Sequence, residues 1–531
     1  MSAQDFDLLI RGGRIVDGSG NPWYRADLGI KNGRIVDIGP LQGRTAKRVI
    51  SLRGEVVAPG FIDMMGTNSI PLLTEPGSGE SKLRQGLTTI MAGEGGSAAP
   101  QSQATFPKEV AAKGYRWSTY AEYHSLLEKN GLSINVVHNI GAAQVRRVVI
   151  GDKDQAPTPQ QLDQMRALVE QGMKDGAVGF STALIYPPGT YAKTAELVEL
   201  AKVVAKFGGF YSTHMRNESS QVLDAIRESI EIGEKGGVPV HIYHLKAAGE
   251  DNWPLMAKAI ELIESARRRG LDVTADIYPY IRNGIGLGSF IPPHHYANGA
   301  APFLATLKDP QVRARLRDEI ETRKDWENWY QHVGRNWDNV LVATLAAKED
   351  KALEGKSVAE IARVWNKPEW DAFFDLVLRG ASVNPKSMNE EQKHLALRTE
   401  WVSFCTDAAP TSIDTATGAH PRAFGSFPRI LAKYVREEKI ITLEAAIRKM
   451  SSLAANRLRL FDRGRIATGM AADLVIFDEQ KIQDTASFTK PLSFPEGMPY
   501  VIVNGVVAVE EGRSTGAKAG RVLRLNNKSS N

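Results

Sequence analysis

Three polar residues directly follow apolar, strand-like segments of the sequence. His214 comes after GGFYST, His244 after VPVHIY and Asp407 after EWVSFCT. Two imidazoles and a nearby carboxylate can hold zinc or a similar divalent metal, with one coordination position left open for water. A single histidine of this kind is commonly a hydrogen-bonded structural residue. Three polar residues at equivalent strand ends make a catalytic metal site an equally good interpretation.

A fourth candidate, Glu94, lies in TTIMAGEGGSAAP, where a strand-like run passes into glycines. The glycines allow the backbone to pack closely around this carboxylate. From the sequence alone, a helix N-cap or a surface loop explains Glu94 at least as well as a metal-binding role does.

The segments that carry these residues alternate with helical patterns such as TAELVELAKVVAKFG, which ends at a glycine suited to a helix C-cap. Repeated strand–helix units imply parallel strands joined by crossovers. Their number over about 400 residues favours an α/β barrel over an open sheet. The carboxyl ends of all strands in such a barrel open onto one face, where active sites are built. We therefore expect His214, His244 and Asp407 to share that face.

The two ends of the chain differ from its middle. Residues 1–59 and 460–531 contain short strands separated by Gly or Asn-Gly turns, which is typical of hairpins. We predict that both termini form one small β domain beside a barrel at 60–459. Residues 296–400 interrupt the barrel pattern with helix formers and five tryptophans, and they predict a helical insertion in one barrel loop.

Composition excludes several classes of protein. The chain has 531 residues, of which 42% are hydrophobic and 24% charged, as in ordinary globular proteins. A net charge of +5 without Lys/Arg clusters predicts no nucleic-acid partner. The lone cysteine, Cys405, allows neither an internal disulfide nor a cysteine-cluster zinc site. No apolar run reaches 18 residues and no signal peptide is visible, so we expect no membrane association and a cytoplasmic location, although a removed signal peptide would leave no trace.

Several longer motifs point to a family. The stretches GAVGFSTALIYPPGTYAKTAELVELAKVVAKFGGFYSTHMRNE and GVPVHIYHLKAAGEDNW resemble the central part of the D-aminoacylases, the N-acyl-D-amino-acid deacylases of the amidohydrolase superfamily. VAPGFIDMM, HPRAFGSFPRIL and GRIATGMAADLVIFD are similar to the same family. The resemblance covers most of the chain. It implies a (β/α)8 TIM-like barrel, a small β-sandwich and a catalytic metal.

The resemblance also assigns roles to individual residues. His214 and His244 match the family's two metal-binding histidines, and Asp407 matches its catalytic aspartate. Tyr186 matches a tyrosine that helps to polarise the substrate carbonyl. Lys246 matches a lysine that faces the substrate carboxylate.

The polar pair of the family's THMRxE motif matches Arg216 and Glu218, and we expect Arg216 to help Lys246 hold the substrate carboxylate. Tyr280 is a candidate for the wall of the substrate pocket. His420 is a candidate for orienting the substrate at the barrel mouth. A purely structural role in packing remains an open alternative for Tyr280 and His420 at this point.

Two departures from the family pattern define the expected metal site. The superfamily's His-x-His pair after the first barrel strand is replaced by Met65 and Thr67, which are poor zinc ligands. The family's cysteine ligand after the second strand falls on Glu94, and a carboxylate can replace a thiolate as an anionic ligand. We therefore expect one Zn²⁺ per chain, or another divalent metal, on Glu94, His214 and His244.

These residues predict a metal-dependent amidohydrolase that acts on N-acyl-amino acids or on similar small amides that carry a carboxylate. The family resemblance implies the D-configuration of the amino acid. The metal lowers the pKa of water to around 7, and Asp407 acts as general base. Two alternatives stay open: a hydrolase of a cyclic amide, dipeptide, ester or lactone, and a non-catalytic descendant of the family. The expected partner is a small-molecule amide, and the sequence is compatible with a homo-oligomer.

Overall fold

The computed structural model describes residues 4–416 and 420–525. Residues 526–531, which end the C-terminal segment assigned to the β domain, lie outside the described residues. The strands are β1 (Phe6–Ile15), β2 (Tyr24–Lys31), β3 (Arg34–Gly39), β4 (Ala46–Ser51), β5 (Val56–Pro59), β6 (Phe61–Asp63), β7 (Leu87–Ala92), β8 (Asn135–Gly141), β9 (Gly179–Ala183), β10 (Phe210–His214), β11 (Val240–Ile242), β12 (Val273–Ile277), β13 (Ile285–Gly286), β14 (Val340–Thr344), β15 (Ser382–Pro385), β16 (Val402–Phe404), β17 (Leu474–Phe477), β18 (Tyr500–Val503), β19 (Val506–Glu510) and β20 (Arg513–Ser514).

Helices connect the strands, and several begin at the capping residues that the sequence offers. Thr119 and Thr158 each form a reciprocal capping box with the residue three positions on. The α-helices are α1 (Ile70–Thr74), α2 (Glu80–Leu83), α3 (Lys108–Ala112), α4 (Tyr120–Asn130), α5 (Ala142–Val149), α6 (Pro159–Lys174), α7 (Thr194–Ala205), α8 (Val222–Gly236), α9 (Leu255–Arg268), α10 (Ala300–Thr306), α11 (Pro310–Thr322), α12 (Trp329–His332), α13 (Val358–Trp365), α14 (Glu369–Leu378), α15 (Glu390–Arg398), α16 (Arg422–Arg429), α17 (Leu443–Met450) and α18 (Ser452–Arg457).

Shorter helical segments complete the inventory of elements. The 3₁₀ turns are Gly189–Tyr191, Glu250–Asn252, Leu287–Phe290, Pro293–Tyr296, Trp337–Asn339 and Lys348–Leu353, and a π-helical stretch, Ile430–Glu437, follows α16. Within residues 4–416 and 420–525, we find no helix that combines the length and the apolarity needed to cross a bilayer.

Eight strands form the central barrel. They pair in parallel in the order β6, β7, β8, β9, β10, β11, β12, β16. Between the last strand and the first, the N–H of Met64 approaches the carbonyl of Phe404 at 3.5 Å, and the N–H of Thr406 donates to Oδ1 of Asp63 at 2.9 Å. The predicted (β/α)8 barrel is confirmed, and all eight strands direct their carboxyl ends toward the same mouth.

The terminal segments meet in a second sheet of nine strands. Its main path runs β20-β19-β18-β17-β5-β1-β2-β3, and β4 pairs in parallel with β1. The antiparallel pairing of β17 with β5 joins the C-terminal segment to the N-terminal one. Alternate side chains of these strands, such as Leu28, Ile30 and Leu474, are buried in a shared apolar cluster.

An excursion from the barrel leaves after β12 and returns before β16. It contains helices, as expected, and also a three-stranded antiparallel sheet of β13, β15 and β14. Its own apolar cluster centres on aromatic side chains that include Trp329, Trp337 and Phe373. Helix α15, which falls inside the expected insertion at 296–400, instead packs against α9 of the barrel. The excursion is therefore built around the segment from Ile285 to Pro385.

Candidate active site and metal centre

The barrel strands deliver the three expected metal ligands to one point. His214 is the last residue of β10, His244 lies two residues beyond β11, and Glu94 lies two residues beyond β7. Nδ1 of His214 is 3.0 Å from Oε1 of Glu94 and 3.1 Å from Nε2 of His244. One ligand atom from each residue lies within 4.8 Å of the others.

This donor set fits a divalent metal. Two imidazole nitrogens and a carboxylate oxygen are typical zinc ligands, and their mutual distances suit bonds of about 2.0–2.2 Å to a common ion. Both histidines are buried, and the Glu94 side chain is 18% exposed, so the point of convergence faces a partly open cavity. The structure thus brings Glu94 close to His214 and His244, the three residues that the sequence analysis predicted as metal ligands.

A buried layer of polar groups orients the two histidines. Nζ of Lys246 lies 2.7 Å from Nδ1 of His244 and donates to Oε1 of Glu218 at 2.6 Å. Oε2 of Glu218 lies 3.5 Å from Nε2 of His214. The Asp276 carboxylate accepts the His244 N–H at 2.6 Å. A metal-binding histidine is oriented by the hydrogen bond that its second ring nitrogen makes. These polar groups therefore fix the orientation of the His214 and His244 rings.

Charges in this layer shift the pKa of its members. Burial opposes ionisation of Glu218, but the nearby His214, Lys246 and His244 hold the pKa of its carboxyl well below the usual range. Burial likewise opposes protonation of His214, and the negative charges of Glu218 and Glu94 outweigh it and raise the pKa of His214. The layer is therefore an ionic network in which Glu218 is the central anion.

Asp407 also lines the cavity at the barrel mouth. It follows β16, and its carboxylate is paired with the Arg422 guanidinium from α16. Burial raises the pKa of the Asp407 carboxyl, and Arg422 works against that shift. Asp407, His244 and Thr67 all line the cavity with left-handed backbones, at φ of 49°, 34° and 47°. Such strained residues persist only where the surrounding structure holds them, and they concentrate at functional sites.

The cavity at the barrel mouth has a volume of about 430 Å³. Tyr186 lines it beyond β9, with its ring centre 5.3 Å from that of His214 in an edge-to-face arrangement. Burial, reinforced by the charge of Glu94, raises the pKa of the Tyr186 hydroxyl well above 10, so the hydroxyl stays a hydrogen-bond donor at neutral pH. Lys246 and His420 also line the cavity.

Two other residues that were expected to bind substrate, Arg216 and Tyr280, contact protein groups and do not line the cavity. Arg216 does not line the cavity: it forms a two-pronged ion pair with Glu228 and donates to the carbonyls of Thr190 and Ala192. Tyr280 is buried, also away from the cavity wall, with its ring 5.2 Å from that of His420.

His420 uses both ring nitrogens on backbone groups. Nδ1 accepts the N–H of Arg422 at 3.0 Å, so Nε2 carries the proton and donates to the carbonyl of Arg282 at 3.0 Å. The ring therefore links the loop before α16 to the start of the excursion.

Met65 and Thr67 take different positions at the place where the superfamily has histidines. The Met65 side chain is 1% exposed and belongs to an apolar cluster with Ile62 and Met91. Thr67 lines the cavity. Neither offers a nitrogen or a carboxylate, and Asp407 is not part of the group of converging ligand atoms.

Three site residues were absent from the sequence-based assignment of roles. Arg422 stands in the HPRAFG motif, fifteen residues after Asp407, and only the fold shows that it pairs with this aspartate. Glu218 was visible in THMRNE, but its contact with Lys246 spans two different loops. Asp276 is the penultimate residue of an apolar strand, and a polar residue near a strand end was the available signal.

Comparisons with known proteins show that the chain is similar to amidohydrolases. The amidohydrolase family profile matches residues 395–509. D-aminoacylase from Alcaligenes xylosoxydans xylosoxydans is 33% identical over 98% of this chain and 98% of that protein. N-acyl-D-glutamate deacylase from the same organism is 34% identical over 98% and 97%.

Two solved structures have the same fold over nearly the whole chain. One is N-acyl-D-glutamate deacylase from Bordetella bronchiseptica, complexed with zinc and a phosphonate that mimics the tetrahedral intermediate. It has a TM-score of 0.82 at 30% identity, and the match covers 98% of this chain and 100% of that chain. A D-aminoacylase studied for its binuclear metal centre, with one-metal activation and second-metal attenuation, has a TM-score of 0.81 at 30% identity and the same coverage.

Proposed function

Because the chain belongs to the D-aminoacylase family of amidohydrolases, we propose that it is a metal-dependent hydrolase that cleaves the amide bond of N-acyl-D-amino acids. The observation that carries the proposal is the convergence of Glu94, His214 and His244 beside Asp407 and Tyr186 in one cavity. A non-catalytic role has no need for this set of residues, because their burial and strained backbones cost stability without a compensating structural benefit.

Glu94, His214 and His244 would hold the metal. A divalent cation there supplies Lewis acidity, which lowers the pKa of water and polarises a carbonyl. Glu218 and Lys246, which also line the cavity, contact ring nitrogens of the two histidines and keep the rings in place. His244 receives an additional anchor from Asp276 through its backbone N–H.

Asp407 and Tyr186 would perform the proton handling and charge stabilisation. Asp407 accepts a proton from the attacking water and returns it to the amine leaving group, as a general base and then a general acid. The Tyr186 hydroxyl donates to the carbonyl oxygen as negative charge develops there. Arg422 holds the Asp407 carboxylate at the cavity wall and opposes the rise in its pKa that burial causes.

The carboxylate of the substrate needs a cation at the cavity wall. Among the described residues that line the cavity, the cationic side chains are Lys246 and Arg422. Each already has a carboxylate partner, Glu218 and Asp407, so a substrate carboxylate would share these cations instead of finding a free one. Arg216 is committed to Glu228 and contributes nothing to substrate binding in this arrangement.

A single metal ion at the barrel mouth of each chain is part of the proposal. The second ion of a binuclear centre would need donors where Met65 and Thr67 stand, and a buried thioether and a neutral hydroxyl are weak ligands for zinc. The barrel site therefore should hold one ion and should lack the second-metal attenuation that is described for the similar D-aminoacylase.

The test is a substrate screen on zinc-loaded protein. N-acetyl-D-amino acids, their L-enantiomers, cyclic amides and lactones are compared for product release, with metal content measured on the same samples. Hydrolysis of the D-series with about one zinc at the barrel mouth of each chain, measured as the zinc that Glu94→Ala loses, supports the proposal. Turnover confined to cyclic amides or lactones would reassign the substrate, and absence of any turnover by metal-loaded protein would overturn the enzymatic role.

A further inference from the structure

A second group of possible metal ligands lies in the excursion, away from the barrel mouth. His294 and His295 are consecutive in the 3₁₀ turn Pro293–Tyr296, and two prolines precede them. Glu319 lies on α11, 24 residues beyond His295. The two prolines restrict the backbone at the start of this turn.

Both imidazoles face the same carboxylate. Nε2 of His295 is 2.8 Å from Oε2 of Glu319, and Nε2 of His294 is 3.3 Å from Oε1. The two rings are 4.1 Å apart between centres. One ligand atom from each of the three residues lies within 4.8 Å of the others, as in the barrel site.

We propose that His294, His295 and Glu319 form a second divalent-metal site, with zinc, copper, nickel or cobalt as its class of ligand. Imidazole nitrogen and carboxylate oxygen are the donors these ions prefer, and water completes the coordination. Solvent can reach the site because the His294 side chain is 53% exposed. This site goes beyond the proposed hydrolase function and does not depend on it.

The Arg323 guanidinium would compete with a metal ion for the Glu319 carboxylate. Arg323, one turn further along the chain, donates from NH1 to Oε1 of Glu319 at 2.7 Å. The same guanidinium donates from Nε to Asp325 at 3.0 Å. Arg323 therefore keeps an anionic partner when Glu319 turns to a metal, which lowers the cost of releasing the carboxylate.

An ion here would tie together two segments of the excursion. Helix α11 is anchored by Leu316 and Ile320 in the apolar cluster of the excursion. The turn contributes Tyr296 and Pro293 to the wall of a cavity of about 450 Å³, which shares Tyr186 with the active-site cavity. Metal binding would close the intervening loop and hold this wall in place.

The experiment is equilibrium dialysis of the zinc-loaded full chain against micromolar ZnCl₂, followed by metal analysis. Wild type should retain one zinc per chain more than the double variant His294→Ala/His295→Ala. Glu319→Gln, which preserves the shape of the side chain, should lose the same ion. His394→Ala is the matched control, because His394 forms a single pair with Glu438 at 2.9 Å and should leave the metal content at the wild-type value.

Thermal unfolding provides a second measurement that separates ion loss from misfolding. Added zinc should raise the Tm of wild type and His394→Ala, but not of the double variant, while the three proteins unfold at similar temperatures without added zinc. Equal zinc retention by wild type and the double variant would overturn the proposal. So would an equal loss of zinc in His394→Ala.

Discussion

Nζ of Lys246 lies 2.6 Å from Oε1 of Glu218, and both side chains are almost completely buried. This ion pair contacts a candidate metal ligand, because Nζ also lies 2.7 Å from Nδ1 of His244. A lysine that the family resemblance assigns to the substrate carboxylate is thus also a structural cation. Its removal would leave the Glu218 carboxylate buried without its closest cation.

Lys246→Met should therefore destabilise the protein by about 3–5 kcal/mol, the usual cost of breaking a buried pair on one side. Chemical denaturation of the two proteins measures the difference. Lys235→Met is the matched control, because Lys235 pairs with Glu231 at the surface and should cost no more than about 1 kcal/mol. Equal losses in the two variants would show that burial of the pair has no special weight.

Asp407→Asn should lower kcat by about 10²–10⁴-fold, since the amide cannot accept the proton of the attacking water. Metal content should remain that of wild type, because Asp407 is outside the group of converging ligand atoms. Steady-state kinetics and metal analysis on the same preparation test both statements. Wild-type turnover in this variant would mean that another residue is the base.

Tyr186→Phe should reduce kcat by about 10²–10³-fold, with a smaller effect on KM, because the lost hydroxyl acts mainly on the developing oxyanion. The phenylalanine ring retains the edge-to-face contact with His214, which limits damage to the site. A change confined to KM would instead indicate that Tyr186 only binds the ground-state substrate.

Glu94→Ala and His214→Ala should each lose the barrel metal, whereas Met65→Leu and Thr67→Ser should retain it. The first two remove converging donors, and the last two alter positions that offer no good ligand. Metal analysis after dialysis against a weak chelator provides the comparison. A large metal loss in Met65→Leu or Thr67→Ser would contradict the single-ion proposal. Activity of wild type should also be insensitive to excess zinc at the barrel mouth.

Glu327, a buried residue just before α12 that accepts the N–H of Glu218, should make the free energy of unfolding depend on pH. Burial, with the charge of Glu218, raises the pKa of its carboxyl to about 8 from an ordinary value of 4.5. The folded protein therefore binds more protons than the unfolded chain between about pH 4.5 and 8, so the stabilising contribution of protonated Glu327 is complete below pH 4.5 and is lost as pH rises to about 8.

Glu327→Gln should remove this loss, because the neutral amide imitates the protonated carboxyl and can still accept the N–H of Glu218. The Tm difference between Glu327→Gln and wild type should grow in favour of the variant from pH 5 to pH 8.5. Glu231→Gln, at an exposed helical position, is the control and should show no such trend. A pH-independent difference for Glu327→Gln would refute the assignment.

Local patterns were sufficient for much of the fold. Strand–helix alternation and the polar residues at strand ends predicted the barrel and the shared location of His214 and His244, because parallel strands end on the same face. Glu94 needed the family resemblance, since a glutamate among glycines is equally typical of a surface loop. The small sheet of the excursion was missed because β13 has only two residues and β15 ends in a proline.

The sequence by itself determined which donors exist: two histidines and a glutamate at strand ends, no histidine at 65 or 67, and one aspartate after the last barrel strand. The tertiary structure decided what each charged group does. Arg216 matched a family motif as well as Lys246 did, yet one is bound to Glu228 and the other lies behind His244. Side-chain partners across loops depend on distances of a few ångströms between elements far apart in sequence, and the spacing of residues along the chain carries no record of them.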